Sequence, residues 1–149
     1  MKKTDDTKLY RYFSIITLII AIILALISYY SILIVEPKVK ELLSMSDNIN
    51  DNYKEAYIEL KNPQLFAGYN NYDAIARPIE SIKKNFNNKI DNNEEFEIND
   101  KIYLSILLER RMLGSRLGRN TMIFFLMLSA LGFVFCLYEI KQKKTRSID

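Results

Sequence analysis

Two long runs of apolar residues dominate the hydrophobic pattern of the chain. Neither residues 12–35 nor residues 120–138 include a charged side chain. A helix needs about 20 apolar residues to cross a hydrocarbon core about 30 Å thick, so both runs predict transmembrane helices. We interpret the first run as an uncleaved anchor rather than a signal peptide. It is too long for one, and no small-x-small cleavage site follows before Tyr29 and Tyr30.

Basic residues near the spans predict their orientation. Four of them precede the first span and two follow it, which favours a cytoplasmic N-terminus: Lys2, Lys3, Lys8 and Arg11, then Lys38 and Lys40. Four arginines stand before the second span and a basic tail follows it, so the first span sets the topology. The expected order is a cytoplasmic tail (1–11), a span (12–35), an extracytoplasmic helical domain (36–119), a span (120–138) and a basic cytoplasmic tail (139–149).

The segment between the spans shows the spacing of amphipathic helices. One apolar stripe predicts a helix from about 38 to 61, with Pro37 in its first turn: Leu42, Met45, Ile49, Tyr53, Ala56 and Leu60. A second stripe predicts a shorter helix that begins near Pro78: Ile79, Ile82, Phe86 and Ile90. Residues 64–77 and 91–99 are expected to be loops, because they are rich in turn-forming residues.

A third helix is predicted after a cap at Asn99 or Asp100. Its apolar face consists of Ile102, Tyr103, Ile106, Leu113 and Leu117. No proline follows, so we expect this helix to run unbroken into the second span. The predicted fold class is an all-α membrane protein whose two transmembrane helices flank an extracytoplasmic helical hairpin or bundle. So small a segment buries little core by itself, which favours self-association or a protein partner.

Small residues recur along one face of each span. They are the residues through which helices approach closely in lipid, where no hydrophobic drive acts between them. We therefore predict that the two stripes form a helix–helix interface, within one chain or between subunits. The stripes are Ser14, Thr17, Ala21, Ala25 and Ser28 in the first span, and Ser129, Gly132 and Cys136 in the second.

Four arginines before the second span are the most distinctive polar feature. Helical angles place Arg111, Arg116 and Arg119 away from the apolar stripe that begins at Ile102, and we expect them to contact lipid headgroups. The same angles place Arg110 within the stripe. An unpaired buried charge is costly, so Arg110 is predicted to pair with Glu36 or Glu41, which leave the first span at a similar depth.

Composition narrows the chemistry. The chain has no histidine and one cysteine, which excludes an imidazole base, a histidine-ligated metal and an internal disulfide. We expect no catalytic residue, cofactor or metal. Thirteen basic and fourteen acidic residues nearly cancel in segment 36–119, so no nucleic-acid partner is expected. High contents of Ile, Lys, Asn and Tyr favour an AT-rich genome and hence a bacterial cytoplasmic (inner) membrane.

These features favour a non-catalytic two-pass membrane protein. It would act by helix–helix association as an accessory, assembly or regulatory subunit of a membrane complex, or as a homo-oligomer. Its expected partners are the lipid bilayer and membrane protein subunits. One alternative is a small homo-oligomeric pore lined by Ser14, Thr17 and Ser28. Another is an extracytoplasmic sensor without its own output domain, with pocket aromatics at Tyr53, Tyr57, Tyr69 and Tyr72. The layout resembles the sensory half of chemoreceptor-type proteins, in arrangement only.

Overall fold

The computed structural model describes residues 6–62 and 73–146, and within them every helical element can be delimited. The elements are α1 (Asp6–Tyr30), a π-helical turn (Ser31–Val35), α2 (Glu36–Ser44), α3 (Ile49–Lys61), α4 (Asp73–Asp91) and α5 (Asp100–Arg146). No strand occurs among these residues. The continuous helix Asp6–Ser44 and the helix α5 are each long and apolar enough to cross a membrane. The all-helical class with two such helices is therefore confirmed.

The chain divides into two compact units. Unit 1 comprises Met1–Leu26 together with Arg119–Asp149, and unit 2 comprises Ile27–Gly118. The described part of unit 1 is the pair formed by most of α1 and the C-terminal part of α5. Unit 2 contains the π-helical turn, α2, α3, α4 and the first part of α5, and it contains the main hydrophobic core.

Pro37 lies in the first turn of α2, as the sequence predicts. This helix is not separate from α1, however, because α1 continues through Ser31–Val35 into α2. Within a helix, proline has no N–H to donate and its ring crowds the carbonyl four residues earlier. Here the N–H of Glu36 donates to the carbonyl of Ser31, five residues back. This wider turn accommodates the proline without ending the helix.

The helix predicted over 38–61 is broken in the structure. The chain leaves the helix at Met45, and α3 begins at Ile49 after Asn48, which has a left-handed backbone (φ 51°, ψ 46°). Asparagine tolerates this conformation better than most residues. Lys38 in α2 bonds to Glu55 and Glu59 in α3, so the two helices pack as an antiparallel hairpin.

The core of unit 2 uses most of the predicted apolar positions. Leu42, Tyr53, Ala56 and Leu60 are buried, whereas Met45, beside the break, is exposed. Helix α4 begins at Asp73 rather than near Pro78, and it contributes the fully buried Phe86. The predicted loop over 91–99 agrees with the break between α4, which ends at Asp91, and α5, which begins at Asp100. Most of the other predicted loop, residues 64–72, lies outside the described residues.

Helix α5 runs without a break from Asp100 to Arg146, as predicted. The side chain of Asp100 connects the start of α5 with the preceding loop. Its carboxylate accepts bonds from the backbone N–H of Glu97 (2.8 Å) and from Nζ of Lys89 (2.7 Å). Both side chains of this ion pair are largely buried, at 16% exposure for Lys89 and 8% for Asp100. The pair therefore joins the end of α4 to the start of α5.

Candidate functional site

The described part of unit 1 brings the predicted small-residue stripes together. The hydroxyl of Ser14 donates to the carbonyl of Ser129 (2.9 Å), and the hydroxyl of Ser129 donates to the carbonyl of Ser14 (2.9 Å). Such reciprocal bonds need the two backbones to be close, which small side chains permit. Cys136 continues the contact, with its Sγ 3.7 Å from the carbonyl of Thr7.

Gly132 marks the closest approach in this contact. A Cβ atom at Gly132 would lie 3.0 Å from the ring of Phe13 and 3.2 Å from Cβ of Ser14. It would also lie 3.4 Å from Cα of Ser14, which belongs to the backbone. The absence of a side chain at this position is therefore what lets the helices come together.

The other predicted interface residues fall in different settings. Ala21 and Thr17 are buried in unit 1, and Ala25 is partly buried. The hydroxyl of Thr17 lies within bonding distance of the carbonyls of Phe13 and Ser14 in its own helix. Ser28 is buried in unit 2. The hydroxyls of Ser14 and Thr17 are thus engaged inside the chain, which lowers the support for a pore lined by them.

A buried arginine forms the main polar cluster of unit 2. Arg111 is only 6% exposed, and its Nε donates to the hydroxyl of Ser31 in the π-helical turn (3.0 Å). Its Nη1 donates to the carbonyls of Glu59 (3.3 Å) and Asn62 (3.2 Å) at the end of α3. The last carbonyls of a helix have no partner within the helix, and an arginine fork suits them. Arg111 therefore connects α5 with α3 and the π-helical turn.

The serine at the centre of this cluster uses its full bonding capacity. The hydroxyl of Ser31 accepts bonds from Arg111 and from Ser115 Oγ (2.8 Å), and it donates to Oε1 of Glu36 (3.4 Å). One donor and two acceptor positions are what a serine hydroxyl offers. Glu36 is itself buried, at 7% exposure. The π-helical turn thus presents Ser31 to a cluster in which opposite charges lie close together.

The electrostatics of Arg111 reflect this setting. Burial lowers the pKa of Arg111, because the low-dielectric surroundings disfavour its charged form, while the negative charges of Glu36 and Glu59 act in the opposite direction. A guanidinium remains protonated at any physiological pH. Arg111 therefore stays a buried cation, and the nearby carboxylates are part of what makes its burial tolerable.

This geometry corrects the faces assigned to the arginines. Arg111 is buried, so the headgroup contact predicted for it is wrong, while Arg110 is partly exposed. The physical reason is that α5 is apolar on two faces. The buried face carries Leu104, Leu107 and Leu108, and the predicted stripe lies largely exposed. Headgroup contact stays a prediction for Arg116 and Arg119, which are exposed. The pairing of Arg110 with Glu36 or Glu41 also stays a prediction. Of these two carboxylates, Glu36 is buried and Glu41 is exposed.

An aromatic cluster occupies the centre of unit 2. The ring of Phe86 stacks on Phe96 (centroids 5.4 Å apart) and tilts against Tyr57 (5.1 Å). The hydroxyl of Tyr57 lies 3.0 Å from both the carbonyl of Lys83 and Oδ1 of Asn87. Tyr53 and Tyr57 are therefore core residues rather than lining of an open pocket. Tyr69 and Tyr72 lie outside the described residues.

Burial raises the pKa of Tyr57, because desolvation disfavours the phenolate. A group with a raised pKa in the folded state stabilises the fold below its unfolded pKa, about 10 for tyrosine, and the contribution is lost as pH rises through the folded pKa. We expect the Tyr57→Phe variant to lose about 1 kcal/mol at pH 7, with a shallower decline in stability above pH 10. Denaturant unfolding at several pH values measures both, with Tyr103→Phe as the half-exposed control. If the free energy of unfolding fell equally steeply above pH 10 in wild type and in Tyr57→Phe, the raised pKa of Tyr57 would be contradicted.

The chain matches no family model, no curated protein and no solved structure.

Proposed function

We propose that this chain is a non-catalytic two-pass membrane protein that acts by helix–helix association, as an accessory, assembly or regulatory subunit of a membrane complex. The observation that carries the proposal is the reciprocal pair of bonds between Ser14 and Ser129, beside Gly132. Close backbone contact through small and hydroxyl-bearing residues is how helices associate in lipid. The chain has two helices that are long and apolar enough to span a membrane, so such association can occur in lipid.

The polar clusters of unit 2 support the same function. Arg111 bonds to Ser31 and to carbonyls of α3, and the Lys89–Asp100 pair connects α4 with α5. These contacts hold helices in a defined arrangement. A helical unit held together by such contacts suits recognition of another protein, because its surface is presented in one geometry.

Purification under mild conditions tests the proposed function. An affinity-tagged chain is expressed at its natural level, extracted in mild detergent and analysed for bound chains and particle mass. We expect either additional copies of this chain or a stoichiometric membrane protein partner, at least when the particle is extracted with its native lipid. A particle that contains one chain and nothing else, both in detergent and after extraction with its native lipid, would contradict the proposal.

The proposed topology has a separate test. With both spans crossing a cytoplasmic membrane and both termini inside, segment 36–119 faces outward. In a Cys136→Ser background, Asn70→Cys should then react with an impermeant maleimide on intact cells, whereas Lys144→Cys should react only after permeabilisation. The reverse labelling pattern would overturn the orientation and leave the helix-association proposal in place.

A further inference from the structure

The exposed apolar surface of unit 2 is concentrated at the start of α5. Outside the predicted spans, the described part of unit 2 has seven exposed large apolar side chains, and five of them lie between residues 98 and 113: Ile98, Ile102, Tyr103, Ile106 and Leu113. The other two are Met45 and Ile58. Large exposed apolar side chains grouped in this way outside the predicted spans indicate an interaction surface.

The spacing of this surface is that of a helix that packs along another helix. Tyr103, Ile106, Arg110, Leu113 and Leu117 recur at intervals of 3, 4, 3 and 4 residues, which is the heptad pattern of a coiled-coil seam. We call these five residues the α5 seam. Three of them are exposed and two are partly exposed, whereas Leu104, Leu107 and Leu108 on the other face are buried in the core. The exposed apolar surfaces of Tyr103, Ile106 and Leu113 are therefore available in addition to the core that folds unit 2.

We propose that the α5 seam pairs with the same seam of a second copy of this chain, in parallel and in register. The inference rests on the proposed function, and it names the surface and the partner. Helix α5 continues from the seam into the predicted second span. Two copies inserted in the same orientation therefore present their seams side by side at the same height, as a two-fold axis along the membrane normal requires. Ile106 then meets Ile106, and Leu113 meets Leu113.

Charge complementarity supports a second copy as the occupant. In parallel, in-register pairing, a side chain at the position of Arg110 enters a hole formed by four residues of the facing helix. Those four residues are Ile106, Glu109, Arg110 and Leu113 of the second copy. Glu109 is exposed beside the seam, so the carboxylate of each chain lies near both Arg110 side chains and offsets their mutual repulsion. A charged residue in a coiled-coil seam weakens the pairing of the two helices and specifies the register in which they pair.

The length of the seam predicts where pairing occurs. From residue 103 to residue 117 a helix extends about 21 Å, which is about two heptads. Such a short seam is too weak to join two chains in dilute solution. Confinement to one membrane raises the effective concentration of the second copy, as a linker does for joined binding modules. We therefore expect dimers in the bilayer, and dissociation on dilution in detergent.

Disulfide cross-linking in membranes tests this pairing. Single cysteines are introduced in a Cys136→Ser background of the full-length protein, and two differently tagged copies are expressed together and oxidised. We expect Ile106→Cys and Leu113→Cys to give cross-links between the two tags. Lys101→Cys, which is exposed on nearly the opposite side of α5, is the matched control and should give none. Equal cross-linking at Lys101→Cys would show random collision and overturn the proposal.

Surface variants give an independent readout of pairing. Leu113→Asn changes a side chain that is 54% exposed, so unit 2 should still fold, and Ile58→Asn changes a 50% exposed side chain on α3. By energy transfer between labelled copies in vesicles, we expect Leu113→Asn to weaken pairing about tenfold or more, and Ile58→Asn to leave it unchanged.

The possible failures are distinguishable. Seam cysteines that cross-link to a different protein, or to another part of the same chain, would overturn the pairing. So would an absence of cross-links together with equal pairing of both asparagine variants. If the purified particle still contains more than one chain in that case, only the seam is wrong. If it contains a single chain, the proposed function fails as well.

Discussion

Replacing Arg111 by methionine is expected to lower the free energy of unfolding by about 3–5 kcal/mol, the largest effect of any single change considered for unit 2. The substitution leaves Glu36 buried beside Ser31 without the nearby guanidinium. It also removes the donor that serves the carbonyls of Glu59 and Asn62. A buried charge that has lost its partner pays a desolvation cost, and the part-buried carbonyl acceptors add a smaller one.

Two further variants distinguish the contribution of the positive charge of Arg111 from that of its several hydrogen-bond donors. Arg111→Lys keeps a positive charge, but an ammonium on a flexible stem cannot reach Ser31 and both carbonyls at once. We expect it to be destabilised by about half as much as Arg111→Met. The double variant Arg111→Met with Glu36→Gln no longer has a buried carboxylate. It should therefore recover about 1–2 kcal/mol relative to Arg111→Met alone.

Unfolding of the full chain in mild detergent, followed by circular dichroism, measures these differences. Arg116→Met is the matched control, because Arg116 lies on the same helix and is exposed. Its unfolding free energy should stay within about 0.5 kcal/mol of wild type. If Arg111→Met and Arg116→Met were equally stable, Arg111 would not join α5 to α3 and the π-helical turn.

Replacing Gly132 by isoleucine should force the two helices of unit 1 apart. The Cβ atom alone would lie 3.4 Å from Cα of Ser14 and closer still to two side-chain atoms, and the branched side chain extends further. Separation also breaks the bonds between Ser14 and Ser129. Overpacking costs about 1–3 kcal/mol, and each lost bond between membrane helices adds about 0.6 kcal/mol. We therefore expect a loss of about 2–4 kcal/mol.

A neighbouring position supplies the control for this variant. Ala130 lies two residues away on α5 and is exposed, so Ala130→Ile places the same side chain on this helix without touching α1. Cysteines at Ser14 and Ser129, in a Cys136→Ser background, report the contact by disulfide formation. We expect the disulfide to form in the Ala130→Ile protein and to be lost in the Gly132→Ile protein. Equal yields in both would contradict the close contact at Gly132.

The two helices long and apolar enough to span a membrane, and the helical nature of the chain, were predictable, because they depend on local composition. Residues 12–35 have no charge over enough length to cross a bilayer, and no tertiary contact changes that. The break between α2 and α3 was missed for the opposite reason. Leu42, Met45 and Ile49 keep helical spacing across it, whereas the turn depends on the left-handed backbone of Asn48. Periodicity alone carries no sign of such a break.

The face of α5 that enters the core was not predictable from spacing. The helix has one apolar stripe through Ile102 and Leu113 and another through Leu104 and Leu108. The second stripe leads into Arg111 and Ser115, so it looks less hydrophobic, yet it is the buried one. The buried face is selected by contacts distant in the sequence, among them the bonds of Arg111 to Ser31 and to the end of α3. Those partners lie 80 and about 50 residues away along the chain.

The mass of the intact particle released from the native membrane tests the central claim of helix association most directly. The tagged chain is extracted with its surrounding lipid by a membrane-solubilising polymer, without detergent, and weighed by native mass spectrometry. The account predicts a particle that contains at least two copies of this chain, or one copy with a stoichiometric membrane partner. A particle with the mass of a single chain and lipid alone would contradict it.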